Sequence, residues 1–166
     1  EYEVARLLSD PAFARQAKGQ FAGDELTLRF HLAPPYIFDV AHNPHAASVL
    51  NENLSSMGFY PETWAVLGML RDKDIAGVLD RLKGRIDHWM LCDLGGPRGT
   101  LAGDIAEMIA GQGIPGSVST FASPVDAWQA TRERVGADDR IVVFGSFLTV
   151  AEVMREYARS PLPSKG

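Results

Sequence analysis

The chain has 166 residues, 46% hydrophobic and 22% charged, with a formal net charge of −5. That fits one domain with a sizeable core and excludes a disordered chain. An acidic chain without a basic run is a poor match for nucleic acid or an anionic membrane surface, and no apolar stretch nears the ~20 residues of a membrane span. The only cysteine, Cys92, lies in the apolar run HWMLCDL and reads as a buried small hydrophobe. One cysteine forms no internal disulfide, in keeping with a cytoplasmic chain.

Residues 1–24 read as a linker or the remnant of a preceding region, and the opening EYEVARLLSD reads as a start inside a longer protein. From residue 25 to 160, apolar β-branched runs alternate with amphipathic helical patterns. The expected strands are 26–32, 36–40, 64–69, 88–94, 117–122 and 140–146. Several are apolar throughout, as in parallel strands covered on both faces. The first alternates instead, with Leu26, Leu28 and Phe30 against Thr27, Arg29 and His31, and is expected at an antiparallel edge. Helices are expected after Asn43-Pro44, Asp72, Thr100, Ser123-Pro124 and Ser146, each starting at a capping side chain. Repeated β-α units of this length imply a parallel sheet. The expectation is therefore an α/β, Rossmann-like three-layer domain. Its sheet would have six mostly parallel strands, one antiparallel at the edge, with helices on both faces. The tail 161–166, PLPSKG, reads as disordered.

Ligands of open α/β sheets bind beyond the carboxyl ends of the strands, here the loops 39–45, 68–74, 94–100 and 144–149. No phosphate-cradling loop is present. None of the four lysines precedes Ser or Thr, and GGPRG (95–99) lacks the spacing of a dinucleotide turn. Asp39, His42, Asn43 and His45 leave three readings open. A metal site needs converging ligands that a turn into Pro44 would splay apart. A plain helix start would use Asn43 as cap and Asp39 as dipole partner. A ligand site would use Asp39 for ribose hydroxyls and an imidazole beside a helix N-terminus for an anion. Ser146 stands at a strand–turn–helix position, but FGSFL lacks the second glycine of a nucleophile elbow. A triad with His42 and Asp39 would crowd acid and base onto one short turn. Ser146 as a helix cap, or as a contact for a substrate carboxylate, is the competing reading. Lys73, at a helix start where a cation is disfavoured, is either solvated between Asp72 and Asp74 or aimed at an anion. Arg98 is either a surface residue or a fork for carboxylate or phosphate.

FDVAHNPHAA, GMLRDKDIAG, GPRG and VVFGSFLTVAEVM, in this order and spacing, closely resemble the C-terminal domain of bacterial folylpolyglutamate synthase/dihydrofolate synthase, a bifunctional enzyme of the Mur ligase superfamily. The resemblance covers about residues 36–157. It implies an ATP-dependent ligase that adds L-glutamate to dihydropteroate and/or reduced folates through an acyl phosphate. By resemblance, Asp39 and Asn43 belong to ATP, with Asp39 on the ribose. His42 is tied to glutamate and phosphate handling, Ser146 and Arg98 to glutamate, and Lys73 to the transferred phosphate; His42 and Lys73 are the expected catalytic pair. No metal ligand is expected in this domain. ATP and Mg²⁺ would be held by a central ATPase domain of the same chain, without which this part would be inactive. A monomeric cytoplasmic enzyme is implied. One departure stands out: the family's L-P-G-R-F segment corresponds best to AKGQF, with Gln20 in place of the phosphate-binding Arg and Lys18 or Arg29 as substitutes. The alternatives are a self-contained metal or serine hydrolase and a regulatory nucleotide-binding module. In the ligase reading Asp39, His42, Lys73 and Ser146 surround one opening.

Overall fold

Apolar residues on both faces of the central strands dictate two separate cores, one on each face of the sheet. The computed structural model describes residues 17–22, 25–30 and 35–160. Its strands are β1 (Ala17–Ala22), β2 (Glu25–Phe30), β3 (Tyr36–Asp39), β4 (Thr63–Leu67), β5 (His88–Cys92), β6 (Ser117–Phe121) and β7 (Arg140–Phe144). Its helices are α1 (Pro44–Ser56), α2 (Ile75–Leu82), α3 (Ala102–Gly111), α4 (Pro124–Arg134) and α5 (Phe147–Arg159). The sheet order is β1-β2-β3-β7-β4-β5-β6. β3, β7, β4, β5 and β6 are mutually parallel. β2 runs antiparallel to both β1 and β3.

The expected six-stranded sheet with one antiparallel edge is thus corrected to seven described strands. The segment expected at the edge, now β2, is flanked on both sides, and β1 lies outside it. β1 falls within the stretch 1–24 that reads as a linker. AKGQFA carries too few large apolar residues to stand out as a strand, and its pairing with β2 supplies what its own side chains do not signal. Of the flanking stretches, residues 1–16 and the tail 161–166 lie outside the described residues.

Successive residues of each central strand go to opposite cores. Ile37, Ala65, Leu67, Trp89, Leu91, Val142 and Phe144 pack with α1, α2 and α3. Tyr36, Phe38, Trp64, Val66, Met90, Ile141 and Val143 pack with Trp128 of α4 and Val150, Met154 and Tyr157 of α5. Trp128 is fully buried and meets Tyr36 edge-on at 5.3 Å between ring centroids. Cys92 is fully buried, and burial, reinforced by Glu152 and Asp93, pushes its thiol pKa up. No described helix is long and apolar enough to cross a membrane.

Helix starts follow the local chemistry. Asn43 and Ser123 accept N–H bonds from Ala46 and Asp126, each followed by a proline at the first helical position. The cap of α2 is Asp74 rather than the expected Asp72, because residues 71–73 form a turn first. α3 begins after Leu101 with no side-chain cap, one residue later than Thr100 implied. Asn43→Ala should therefore destabilise the domain by about 1 kcal/mol while Asn43→Asp stays near wild type. Urea unfolding midpoints of the three proteins check this.

Candidate functional site at the carboxyl edge

The three adjacent central strands β3, β7 and β4 are parallel, so the loops that leave them open on one edge of the sheet. β7, late in the chain, lies between β3 and β4, and this insertion brings residues 42, 73 and 146 together. His42, Leu70, Lys73, Gly145, Ser146, Phe147 and Leu148 line one cavity of about 390 Å³. Asp39 does not line it, so one of the four residues expected around the opening is set apart.

His42 is half-buried, and its Nδ1 lies 2.8 Å from the Val40 carbonyl oxygen. A carbonyl only accepts, so Nδ1 carries the hydrogen and the neutral ring presents Nε2 as an acceptor. No described residue hydrogen-bonds Nε2. No hydrogen bond joins His42 to Ser146 either, so the serine-hydrolase relay is not formed. Asp39 is 7% exposed, and its Oδ1 accepts the Ala41 N–H at 2.7 Å, fixing the turn out of β3. Asn43 is exposed beside it, with Oδ1 committed to the α1 cap. His45 is exposed on α1. Among the described residues, no cluster of three or more His, Cys, Asp or Glu side chains could hold a metal ion.

Lys73 is held by a clamp between two loops. Backbone bonds run from Arg71 N–H to the Arg98 carbonyl at 2.8 Å and from Thr100 N–H to the Met69 carbonyl at 3.1 Å. Leu70 and Gly99 form an isolated antiparallel bridge. Arg98 closes the clamp from outside: its Nη2 donates to Asp72 at 2.6 Å, and this hydrogen bond holds the Asp72 carboxyl below the usual range. Both groups are solvent-exposed, and Arg98 does not line the cavity. Asp74 spends its carboxylate on the Gly77 N–H. Neither carboxylate flanking Lys73 hydrogen-bonds it, although its charge helps to lower the Asp72 pKa, and Lys73 is the only lysine or arginine lining the cavity.

Ser146 is 5% exposed and caps α5 by accepting the Thr149 N–H at 3.1 Å. Ahead of it Gly145 adopts φ +110°, which lets the backbone of β7's exit loop approach that of Gly68. Thr149 Oγ1 donates to the Gly68 carbonyl at 2.9 Å and lies 2.9 Å from Ser146 Oγ. The first N–H groups of α5, on Phe147 and Leu148, have no partner within the helix and sit at its positive dipole end. Sequence reasoning missed Thr149, Gly68 and the apolar lining Leu70, Phe147 and Leu148; a threonine three residues after a capping serine was the available signal. It also missed His88, at the opposite edge of the sheet, which stacks on Trp64 at 3.8 Å and meets Ser117 at 2.6 Å and Glu62 at 3.0 Å. That cluster ties the starts of β4, β5 and β6 together.

Residues 29–147 match the family model described as Mur ligase, glutamate ligase domain. The chain belongs to this family. It is 43% identical over 122 residues to the dihydrofolate synthase/folylpolyglutamate synthase of Escherichia coli K12, covering 74% of this chain and 28% of that protein. The Haemophilus influenzae protein of the same name is 35% identical over 137 residues, covering 81% and 31%. Among solved structures, E. coli FolC in complex with ADP matches with a TM-score of 0.72 at 41% identity, over 77% of this chain and 30% of that one. The glutamate ligase domain described above thus spans under a third of the length of the proteins it matches.

Proposed function

We propose that this glutamate ligase domain is the amino-acid-recruiting part of an ATP-dependent ligase that joins L-glutamate to dihydropteroate and/or reduced folates. The observation that carries this is the chemistry of the one cavity. A cation (Lys73), two acceptors (His42 Nε2 and Ser146 Oγ) and the free N–H groups of α5 face a half-apolar space, a set complementary to an amino acid beside a phosphorylated carboxyl. A structural neighbour with TM-score 0.71 and 40% identity was solved with Mn, AMPPNP and L-glutamate bound, which supports the substrate class.

In this reading ATP phosphorylates the carboxyl of the pterin substrate in a part of the ligase beyond this chain. The described residues contain neither a phosphate cradle nor a carboxylate cluster for Mg²⁺, so no step here runs through the metal. The α-carboxylate of glutamate sits on the Phe147 and Leu148 N–H groups. Its ammonium gives a proton to His42 Nε2, the free amine attacks the acyl carbon, the C–O bond to phosphate breaks, and inorganic phosphate leaves with the second proton lost by the nitrogen. Lys73 offsets the charge on that departing phosphate. Asp39 accepts from the ATP ribose, and Asn43 offers its Nδ2 to the nucleotide. Arg98 acts by pinning the loop that carries Lys73. Where the sequence has Gln20 for the family's phosphate-binding arginine, Lys18 or Arg29 substitutes for it. The enzyme works as a cytoplasmic monomer.

Steady-state kinetics of the full-length protein test the division of labour. Ser146→Ala and His42→Ala should each raise the KM for L-glutamate roughly ten- to hundredfold, the worth of one hydrogen bond to a charged group. Asp39→Ala should mainly raise the KM for ATP. Arg98→Ala should leave the glutamate KM within about threefold, since exposed ion pairs contribute at most ~1 kcal/mol. Absence of glutamate-dependent ADP formation, or effects of all these variants on ATP alone, would sink the proposal. Esterase turnover abolished by Ser146→Ala would favour the hydrolase instead.

A further inference from the structure

Three hydrogen-bonding groups in a row fix the polarity of the Ser146 hydroxyl. Thr149 Oγ1 owns one hydrogen, and that hydrogen goes to the Gly68 carbonyl at 2.9 Å, an oxygen that only accepts. The contact between Ser146 Oγ and Thr149 Oγ1 at 2.9 Å must then use the serine's hydrogen. The Thr149 N–H occupies one lone pair of Ser146 Oγ at 3.1 Å. What remains on Ser146 toward the cavity is a single lone pair, an acceptor with no hydrogen to give. Both residues are buried, Thr149 completely, so water does not readily reshuffle the chain of bonds.

We infer that Thr149 is a positioning residue for the amino-acid substrate: by holding the Ser146 proton, it makes Ser146 select an N–H donor, the substrate's amine, over a carboxylate. This rests on the reading that the cavity takes L-glutamate. It also assigns the two ends of the amino acid. The carboxylate goes to the α5 N–H groups, which only donate, and the ammonium goes to Ser146 and His42, which only accept. A bound molecule turned end for end would face lone pairs with its carboxylate, so the amine alone is presented to the electrophile. Sequence reasoning gave Ser146 the opposite partner, because a lone serine hydroxyl can donate or accept and only its neighbours decide.

The test uses the full-length ligase with L-glutamate, ATP and the folate substrate, together with trapping of the acyl phosphate by hydroxylamine. Trapping yields hydroxamate and phosphate without the amino-acid site. Thr149→Val, which keeps shape and the N–H but loses the hydroxyl, should raise the glutamate KM roughly tenfold or more. The KM for ATP and the trapping rate should stay within about twofold, and Thr149→Ser should restore the glutamate KM to within about threefold. In a Ser146→Ala background Thr149→Val should add nothing, because it acts through that hydroxyl. Should Thr149→Val be unstable, Thr149→Ala reads the same split without setting a methyl against the Gly68 carbonyl. If Ser146→Ala raises the glutamate KM but neither Thr149 variant does, the inference is overturned and the site reading stands. Equal losses for ATP, trapping and glutamate would make Thr149 merely structural and also overturn it. If Ser146→Ala leaves the glutamate KM unchanged, the site reading itself falls.

Discussion

Gly145→Ala is expected to lower the unfolding temperature of this domain by roughly 5–15 °C and to raise the glutamate KM at the same time. Two effects combine. The residue sits at φ +110°, where an L side chain is strained by ~1–3 kcal/mol. A Cβ there would also lie 2.5 Å from the Gly68 carbonyl oxygen and 2.6 Å from Leu67 Cδ1. The first is backbone at the end of a central strand and cannot swing aside. Together they amount to about 2–4 kcal/mol. Because the displaced carbonyl is the one that takes the Thr149 hydrogen, the Ser146 side of the cavity moves with it. Gly96→Ala is the control: φ is +84°, but open space surrounds the position, so only the backbone strain applies. Scanning calorimetry that finds Gly145→Ala no worse than Gly96→Ala would refute the close-approach argument.

Lys73→Ala is expected to cut kcat/KM by about 10²–10³, the usual loss for one electrostatic contact to developing charge. Stability should move the other way. Lys73 lies just before α2, where the helix dipole disfavours a cation by ~0.3–1 kcal/mol, and the neighbouring carboxylates hydrogen-bond Arg98 and Gly77 rather than Lys73. A site that keeps a charge in an unfavourable place awaits a negative partner, so removing the charge should leave folding unchanged or slightly improved. Lys73→Arg should retain part of the activity, since it keeps the charge but not the compact ammonium. An activity loss matched by equal destabilisation would show that Lys73 serves the loop instead of the reaction.

Much of the parallel half of the fold is legible in the sequence, for a physical reason. Strands such as RIVVF and TWAVL are covered on both faces, so nearly every residue is apolar and the run announces itself. The caps Asn43, Ser123 and Ser146 are legible because each side chain meets an N–H three residues on. β1 is not, since Phe21 is its only large apolar residue and the strand is defined by its partner. Asp72 misleads as a cap because its carboxylate goes to Arg98, a residue brought near only by the fold. In the site, sequence order locates His42, Lys73 and Ser146 at strand ends. It does not reveal that Asp39 is not among the residues lining the cavity, nor which way the Ser146 proton points. The second depends on the Gly68 carbonyl, which only the fold brings to Thr149.

The placement of β7 between β3 and β4 also governs when this molecule can become active during its synthesis. Through Arg134 a growing chain holds β3 and β4 but not the strand that separates them, so both present unpaired backbone edges to the cell. The last ~25 described residues then supply at once the middle of the sheet, Gly145, Ser146 and α5. A partial product ending at Arg134 carries His42, Leu70 and Lys73 but none of the cavity lining that follows β7. Closing the sheet across such long sequence separations is slow compared with forming local helices. The interval between them is when the chain is most exposed to wrong pairing and to proteases, and the cavity at the carboxyl edge is complete only as that interval ends.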